Sequence, residues 1–156
     1  AMLDFKTRQR GLDQEGRREL YEMYMDHHDR IRVWDLVDRA APRVLGWYLF
    51  DKSRQPLYDL AESTNPLERR SAITAAFWFI RKKDLGDPLA LAQRLAEDPS
   101  DLVRKPVGTA LREVGKVDRE VLLDFLRRNS ERLSRVTVRY AIEHLPEDLR
   151  SEFLLR

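Results

Sequence analysis

The chain has 156 residues, of which 36% are charged, and its net charge is +2 with the histidines neutral. It has no cysteine, which excludes disulfides, thiol nucleophiles and cysteine-ligated metals. No apolar run approaches the roughly 18 to 20 residues that a membrane span requires, so we expect no membrane partner. The absence of cysteine fits a reducing compartment, and we expect a cytoplasmic protein. The length predicts a single domain over residues 1–156.

Helix signals follow one another along the chain, whereas strand signals are nearly absent. Glycine is scarce, and no Asn-Gly or Asp-Gly hairpin turn occurs. Helices are predicted at 13–28, 30–40, 42–51, 55–63, 66–83, 88–97, 101–114, 119–129, 134–144 and 147–155.

Several helices carry recognisable start and stop residues. We predict N-caps at Asn65, Asp87, Ser100, Asp118 and Ser134. Gly115 is predicted to end a helix. Pro42 should break or kink the chain between two helices, and Pro106 should either end a first turn or bend its helix.

A repeat of 34 to 35 residues underlies this pattern. The segments NPLERRSAI (65–73), SDLVRKPVG (100–108) and SRVTVRYAI (134–142) align, with the cations Arg70, Lys105 and Arg139 at one shared position. Helical repeats of this length are typical of α-solenoids, in which each unit buries its apolar face against its neighbours. The predicted fold is therefore all-α, a HEAT-like solenoid of stacked antiparallel helix pairs.

The cations of the repeats form stripes at helical spacing. Lys105, Thr109, Arg112 and Lys116 follow i, i+4, i+7, i+11, and Arg70 and Arg81 lie on a similar stripe one repeat earlier. Each stripe alone is compatible with an ordinary solvated helix face. Their common register favours a concave basic face that suits a DNA phosphate backbone.

For two tryptophans, the sequence leaves open whether the side chain packs in the core or contacts a ligand. Trp34 and Asp38 are one helical turn apart and share a face, so Trp34 either packs in the core or faces a ligand with Asp38. Trp78 either packs in the core or contacts DNA. His27 and His28 are adjacent and point about 100° apart on a helix, which does not favour a metal site.

Four segments in order and spacing resemble the DNA alkylation repair family, the AlkD-like HEAT-repeat glycosylases. They are WDLVD (34–38), ERRSAI (68–73), VGTALREVGK (107–116) and RYAIEHLPE (139–147). The resemblance extends over roughly residues 28 to 147. It implies a monomeric enzyme of the bacterial nucleoid that binds alkylated double-stranded DNA. It further implies excision of cationic purines such as 3-methyladenine and 7-methylguanine, without base flipping and without a metal or organic cofactor.

Carried over by position, the resemblance assigns the catalytic face to Trp34, Asp38 and Arg70, and we expect Arg70 to grip a phosphate with two hydrogen bonds. The family's second tryptophan corresponds to Thr109, which departs from the pattern, and the chain is short where relatives have additional N-terminal helices. A cationic purine is already a good leaving group, so a carboxylate that stabilises the sugar cation and accepts a proton from water suffices. Residues expected to contact DNA are Arg69, Arg81, Arg104, Lys105, Thr109, Arg112, Lys116 and Arg139.

Three functions remain compatible with the sequence. The first is a glycosylase for cationic alkylated purines, favoured by Trp34, Asp38 and Arg70. The second is a weakly active or inactive relative that binds distorted or branched DNA, favoured by Thr109. The third is a protein-binding HEAT scaffold, which the registered cations disfavour.

Overall fold

The computed structural model describes residues 13–154, and this part of the chain contains helices and no strand. The α-helices are α1 (Gln14–Asp26), α2 (Trp34–Ala41), α3 (Gln55–Ala61), α4 (Pro66–Arg81), α5 (Gly86–Arg94), α6 (Asp101–Val117), α7 (Arg119–Asn129), α8 (Arg135–Ala141) and α9 (Glu147–Leu154). A 3₁₀ turn covers His28–Arg30, and a π-helix covers Pro42–Trp47. The prediction of an all-α fold is confirmed.

The helices stack as pairs in two layers. In the first layer, α2, α4, α6 and α8 pack one against the next, and in the second, α3, α5, α7 and α9 each pack on a first-layer helix. A continuous core of leucine, valine, alanine and phenylalanine side chains runs between the layers. This arrangement places the N-terminal turns of α4, α6 and α8 at equivalent positions, as the repeat of 34 to 35 residues predicts.

The N-caps of the repeat fix where the first-layer helices begin. The side chains of Asn65 and Ser100 accept hydrogen bonds from the backbone N–H groups of Leu67 and Leu102, and Ser134 caps α8 in the same way. Asp118 caps α7 through Val121. These four N-cap predictions are confirmed.

Other local predictions were wrong, and the structure shows why. Asp87 lies inside α5 rather than at its N-cap, because its carboxylate accepts hydrogen bonds from Arg54 and Tyr58. Gly115 does not end a helix, since α6 continues to Val117 and packs Gly115 against Leu122.

The start of α2 differs from the prediction, and the helix is not broken at the proline that follows. The helix expected from residue 30 begins at Trp34, because Ile31 and Val33 adopt extended backbone angles. Pro42 does not break the chain; the helix continues through it as a π-helix.

Gly108 permits the closest approach between two first-layer helices. A Cβ atom at this position would lie 2.6 Å from the Thr137 carbonyl oxygen and 2.6 Å from the Tyr140 Cβ of α8. Both contacts are too short to exist, and one involves backbone that cannot swing aside. Glycine is therefore required for α6 and α8 to pack at this distance.

We expect Gly108→Ala to lower the free energy of unfolding by about 1 to 3 kcal/mol, because the added methyl group would overpack the α6–α8 contact. Gly86→Ala is the matched control, since a Cβ atom there meets nothing within 4 Å. The control should be neutral or stabilising by up to about 1 kcal/mol, because alanine is the better helix former. Urea unfolding of the two variants checks this, and equal stabilities would contradict it.

Candidate functional site

Helix α2 presents one apolar and one functional face. Val37, Ala40 and Ala41 are buried in the core, whereas Trp34 is 52% exposed on the opposite side. The Asp38 side chain is 35% exposed and lies at the boundary between the two faces. Trp34 is thus not a core residue, and its indole is available to a ligand.

Arg70 of α4 holds the Asp38 carboxylate with two hydrogen bonds. Its Nε donates to Oδ1 at 2.8 Å, and its Nη2 donates to Oδ2 at 2.7 Å. The Arg70 side chain is only 11% exposed, so little water competes for this pair. Such a bidentate arrangement fixes the plane of the carboxylate as well as its position.

A third hydrogen bond ties Arg70 to α6. Its Nη1 donates to the carbonyl oxygen of Leu102 at 2.7 Å. In a regular helix that oxygen would accept from the residue four positions later, which here is Pro106 and has no N–H. Of the two effects predicted for Pro106, an end of the helix does not occur, because α6 continues through this residue. The Leu102 carbonyl oxygen, which Pro106 leaves without a helical donor, accepts a hydrogen bond from Arg70 instead.

Trp34 completes the group from the solvent side. The Arg70 guanidinium carbon lies 5.3 Å from the centre of the Trp34 ring, within the range of a cation–π interaction. The structure therefore brings together Trp34, Asp38 and Arg70, three residues that are up to 36 positions apart in the sequence.

A cleft of about 260 Å³ opens beside the Asp38 carboxylate, and we call it the Asp38 cleft. The residues that line it come from α2, the π-helix, α4 and α6: Asp38, Pro42, Arg70, Thr74, Phe77, Lys105, Pro106 and Thr109. The Thr74 hydroxyl is buried and has no hydrogen-bond partner among the described residues. The cleft thus combines a carboxylate, cations and an unused hydroxyl group.

Thr109 lines one wall of this cleft, but its hydroxyl group is engaged within its own helix. Its hydroxyl donates to the Lys105 carbonyl oxygen of its own helix at 3.1 Å. A hydroxyl group bonded back to its own helix presents little to a ligand, and the short side chain leaves space where a larger one would project.

The predicted DNA-contacting cations separate into two groups. Lys105, Arg81 and Arg139 are exposed and have no ion pair within residues 13–154, although only Lys105 lines the Asp38 cleft. Arg139 lies at another cleft, near Phe153.

The other predicted cations bind carboxylates or carbonyl oxygens of the protein. Arg69 is mostly buried and pairs with Asp98, and Arg104 donates to the Asp98 carbonyl oxygen. Arg112 pairs with Glu143 of the next repeat and Lys116 with Glu113. Their contact with DNA stays a prediction.

Beneath Arg70 lies a buried polar network that sequence reasoning missed. The Ser71 hydroxyl forms hydrogen bonds with Tyr24 at 2.7 Å and with Nε2 of His28 at 2.6 Å. Burial raises the pKa of Tyr24 more than the Ser71 hydrogen bond lowers it, and the Asp38 charge raises it further. The available sequence signal was the spacing of Tyr24 and His28, one helical turn apart.

A comparison with protein families shows which family the chain belongs to. The model of the DNA alkylation repair enzyme family matches residues 3–145. The chain belongs to that family. Membership assigns it to DNA repair, with DNA as its partner. Comparison with curated proteins gave no significant match.

The expectation of a short N terminus concerns residues 1–12, which lie outside the described part of the chain. Within residues 13–154, no helix has both the length and the apolar composition to cross a membrane.

We expect the stability of the protein to fall as the pH decreases below the ordinary His pKa of 6.5. Burial lowers the pKa of His28 in the folded protein, so the unfolded chain takes up a proton that the folded chain does not. Replacing His28 with Gln should reduce this pH dependence, which for one group is at most about 1.4 kcal/mol per pH unit.

Urea unfolding at about pH 7 and about pH 5 measures the effect. The adjacent, exposed His27 provides the control, because its Nδ1 lies only against the Met23 carbonyl oxygen of its own helix. His27→Gln should keep the wild-type pH dependence. The same pH dependence in both variants would contradict the assignment to His28.

Proposed function

We propose that the chain is a DNA glycosylase that excises positively charged alkylated purines, such as 3-methyladenine and 7-methylguanine, from duplex DNA. The observation that carries the proposal is the Asp38 carboxylate, oriented by Arg70 and open to a cleft beside the exposed Trp34. Family membership supports a repair role, and the geometry supports this chemistry.

The residues support a mechanism without a general acid. Alkylation gives the purine a positive charge, so it leaves as a neutral base when the bond to the sugar C1′ breaks. The developing sugar cation is stabilised by the Asp38 carboxylate, and a water molecule that attacks C1′ passes its proton to the same carboxylate. Arg70 occupies only part of the lone-pair capacity of the two oxygens, which leaves acceptor sites for that water.

Trp34 and Arg70 take distinct supporting roles in this proposal. The exposed indole packs on the deoxyribose and holds positive charge near its π face. Arg70 positions Asp38, since three of its nitrogens bind protein acceptors. This role replaces the expected grip on a phosphate as the principal one.

The exposure of the site favours reaction without base flipping. Enzymes that extrude a base read it in a snug pocket. Trp34 and Asp38 instead lie at the surface, where they can approach the sugar of a nucleotide that remains in the duplex. No metal or organic cofactor is required for this chemistry, and we propose that the protein acts on DNA as a monomer.

A second candidate is a protein that binds distorted or branched DNA with little or no excision. The observation that favours it is Thr109, whose short side chain leaves one wall of the Asp38 cleft without the aromatic ring that the resemblance implies.

We expect Asp38→Asn to abolish release of 7-methylguanine from methylated duplex DNA, because the neutral amide neither stabilises a sugar cation nor accepts a proton. DNA binding should persist or tighten, since a negative charge near the phosphates is lost. Asp35→Asn is the control: Asp35 lies on the same helix, more than half exposed, in an ion pair with Arg39. The control should excise at nearly the wild-type rate, and native-rate excision by Asp38→Asn would refute the role of the carboxylate.

We expect Thr109→Trp to raise the excision rate, because the ring would supply a missing wall of the site. A stacking contact of this kind contributes ~1 to 3 kcal/mol, which corresponds to roughly a ten- to hundredfold change in rate. Thr109→Val removes only the hydroxyl and should leave the rate unchanged. Single-turnover release of 7-methylguanine is the measurement. If neither the wild type nor Thr109→Trp releases base, the second candidate function replaces the first.

A further inference from the structure

Trp34 lies at the start of α2, where the helix itself does little to hold it in place. The N-cap residue of α2 is Val33, whose side chain makes no capping hydrogen bond, and Val33 and Trp34 are both more than half exposed. A helix start without a side-chain cap leaves backbone N–H groups unpaired. The cation–π contact with Arg70 acts only on the indole ring. The position of Trp34 therefore depends on the segment that precedes it.

That segment, residues 28–33, is anchored in the protein interior at its beginning. His28 is 1% exposed, and its Nε2 atom lies 2.6 Å from the Ser71 hydroxyl oxygen of α4. Ile31 is also buried, whereas residues 32 and 33 are exposed. The backbone is extended at Ile31 and Val33, so a short, direct piece of chain connects the buried His28 with the exposed tryptophan.

Helix α4 supplies an anchor for both functional residues of α2. Arg70 binds the Asp38 carboxylate, and the next residue, Ser71, binds His28. Ser71 is completely buried, so no water competes for its hydroxyl group. The positions of Trp34 and Asp38 are thus both determined by adjacent residues of one helix. A preorganised site requires rigid support of this kind.

His28 carries an energetic cost that core packing does not explain. Its Nδ1 atom is buried and has no hydrogen-bond partner in the part of the chain that the structure describes. A buried polar atom without a partner is unfavourable, and an apolar side chain at this position would avoid the cost. Departures from the rules of stability are expected where a residue serves function. What the imidazole provides, and an apolar side chain would not, is the hydrogen bond to Ser71.

We infer that His28 and Ser71 are positioning residues for Trp34. Their hydrogen bond fixes the segment that leads into α2 and thereby holds the indole where it packs on the sugar of the substrate nucleotide. The inference rests on the proposed function, because it assumes that Trp34 contacts the deoxyribose.

The first test compares the excision rate with DNA affinity in His28→Leu. This change removes the hydrogen bond and keeps a side chain that can fill the space, while Ser71 keeps its bond to Tyr24. Single-turnover release of 7-methylguanine should slow by up to about a hundredfold, because a misplacement of about 1 Å can cost that much. Affinity for unmethylated duplex DNA should stay at the wild-type value, since phosphate contacts supply most of it.

Two further variants separate positioning from a general loss of stability. His28→Gln keeps a side-chain amide that can bond to Ser71, so it should restore most of the wild-type rate. Thr137→Val removes a buried hydroxyl that donates to the Arg104 carbonyl oxygen at 3.0 Å in another repeat. It should lower the free energy of unfolding in urea and keep the wild-type rate. Equal slowing in His28→Leu and Thr137→Val, or no recovery in His28→Gln, overturns the inference.

Fluorine NMR without DNA tests the position of Trp34 separately from excision. The chain has three tryptophans, so the protein labelled with fluorotryptophan gives three resonances, and Trp34→Phe identifies that of Trp34. The Trp34 resonance should shift or broaden in His28→Leu and return to its wild-type position in His28→Gln. The resonance of Trp78, which is buried in α4, is the internal reference and should not move.

The outcomes distinguish this inference from the proposed function. An unchanged Trp34 resonance in folded His28→Leu overturns the inference and leaves the glycosylase proposal intact, and so does a shifted resonance with a wild-type excision rate. A shifted resonance in a protein that releases no 7-methylguanine supports the link between His28 and Trp34 and refutes the glycosylase. If urea unfolding shows that His28→Leu is not folded, Ser71→Ala replaces it with the same expected results.

Discussion

One guanidinium group links three consecutive first-layer helices. Arg70 of α4 binds the Asp38 carboxylate of α2 and the Leu102 carbonyl of α6, with all three distances between 2.7 and 2.8 Å. A partly buried ion pair contributes little net stability, because desolvation offsets much of the attraction. The contribution of the Arg70–Asp38 pair is to fix the geometry of the carboxylate. The carboxylate cannot rotate without losing two charge-assisted hydrogen bonds, so the site is organised before any ligand arrives.

Two prolines provide the backbone irregularity that this arrangement needs. Pro42 and Pro106 both line the Asp38 cleft, and each lies four residues after a residue of the Arg70 network, Asp38 and Leu102 respectively. A proline removes the N–H that would bind the carbonyl four positions earlier. At Pro106 the freed carbonyl accepts Arg70, and at Pro42 the helix widens into a π-helix. Both deviations from regular helix thus occur at the candidate site, where π-bulges are frequent.

The cations of this protein have two different uses, which net charge alone does not reveal. Arg69 and Arg112 bind carboxylates about thirty residues away and join neighbouring repeats. Lys105 and Arg81 remain exposed, and Lys105 lines the Asp38 cleft. Because arginines of the first kind are already paired between repeats, a basic stripe in the sequence overstates the charge available to DNA.

Local features of the sequence account for the helices and for the repeat. Capping residues, helical spacing and the period of 34 to 35 residues are local properties, and they fixed the all-α class and most helix positions. The grouping of Trp34 with Asp38 was also local, since helical spacing alone puts them on one face. The resemblance added Arg70 to this pair, although nothing in its own segment indicates its partners.

The packing of the repeats determines which cations bind carboxylates between repeats and which remain exposed. Which cations are paired depends on carboxylates of other repeats, such as Asp98 and Glu143. No local sequence pattern indicates that these carboxylates lie next to Arg69 and Arg112. Packing also determines that Asp87 binds Arg54 instead of capping a helix, and that the Leu102 carbonyl meets Arg70. The physical reason is the same in each case: a side chain binds the best partner within reach, and packing determines what is within reach.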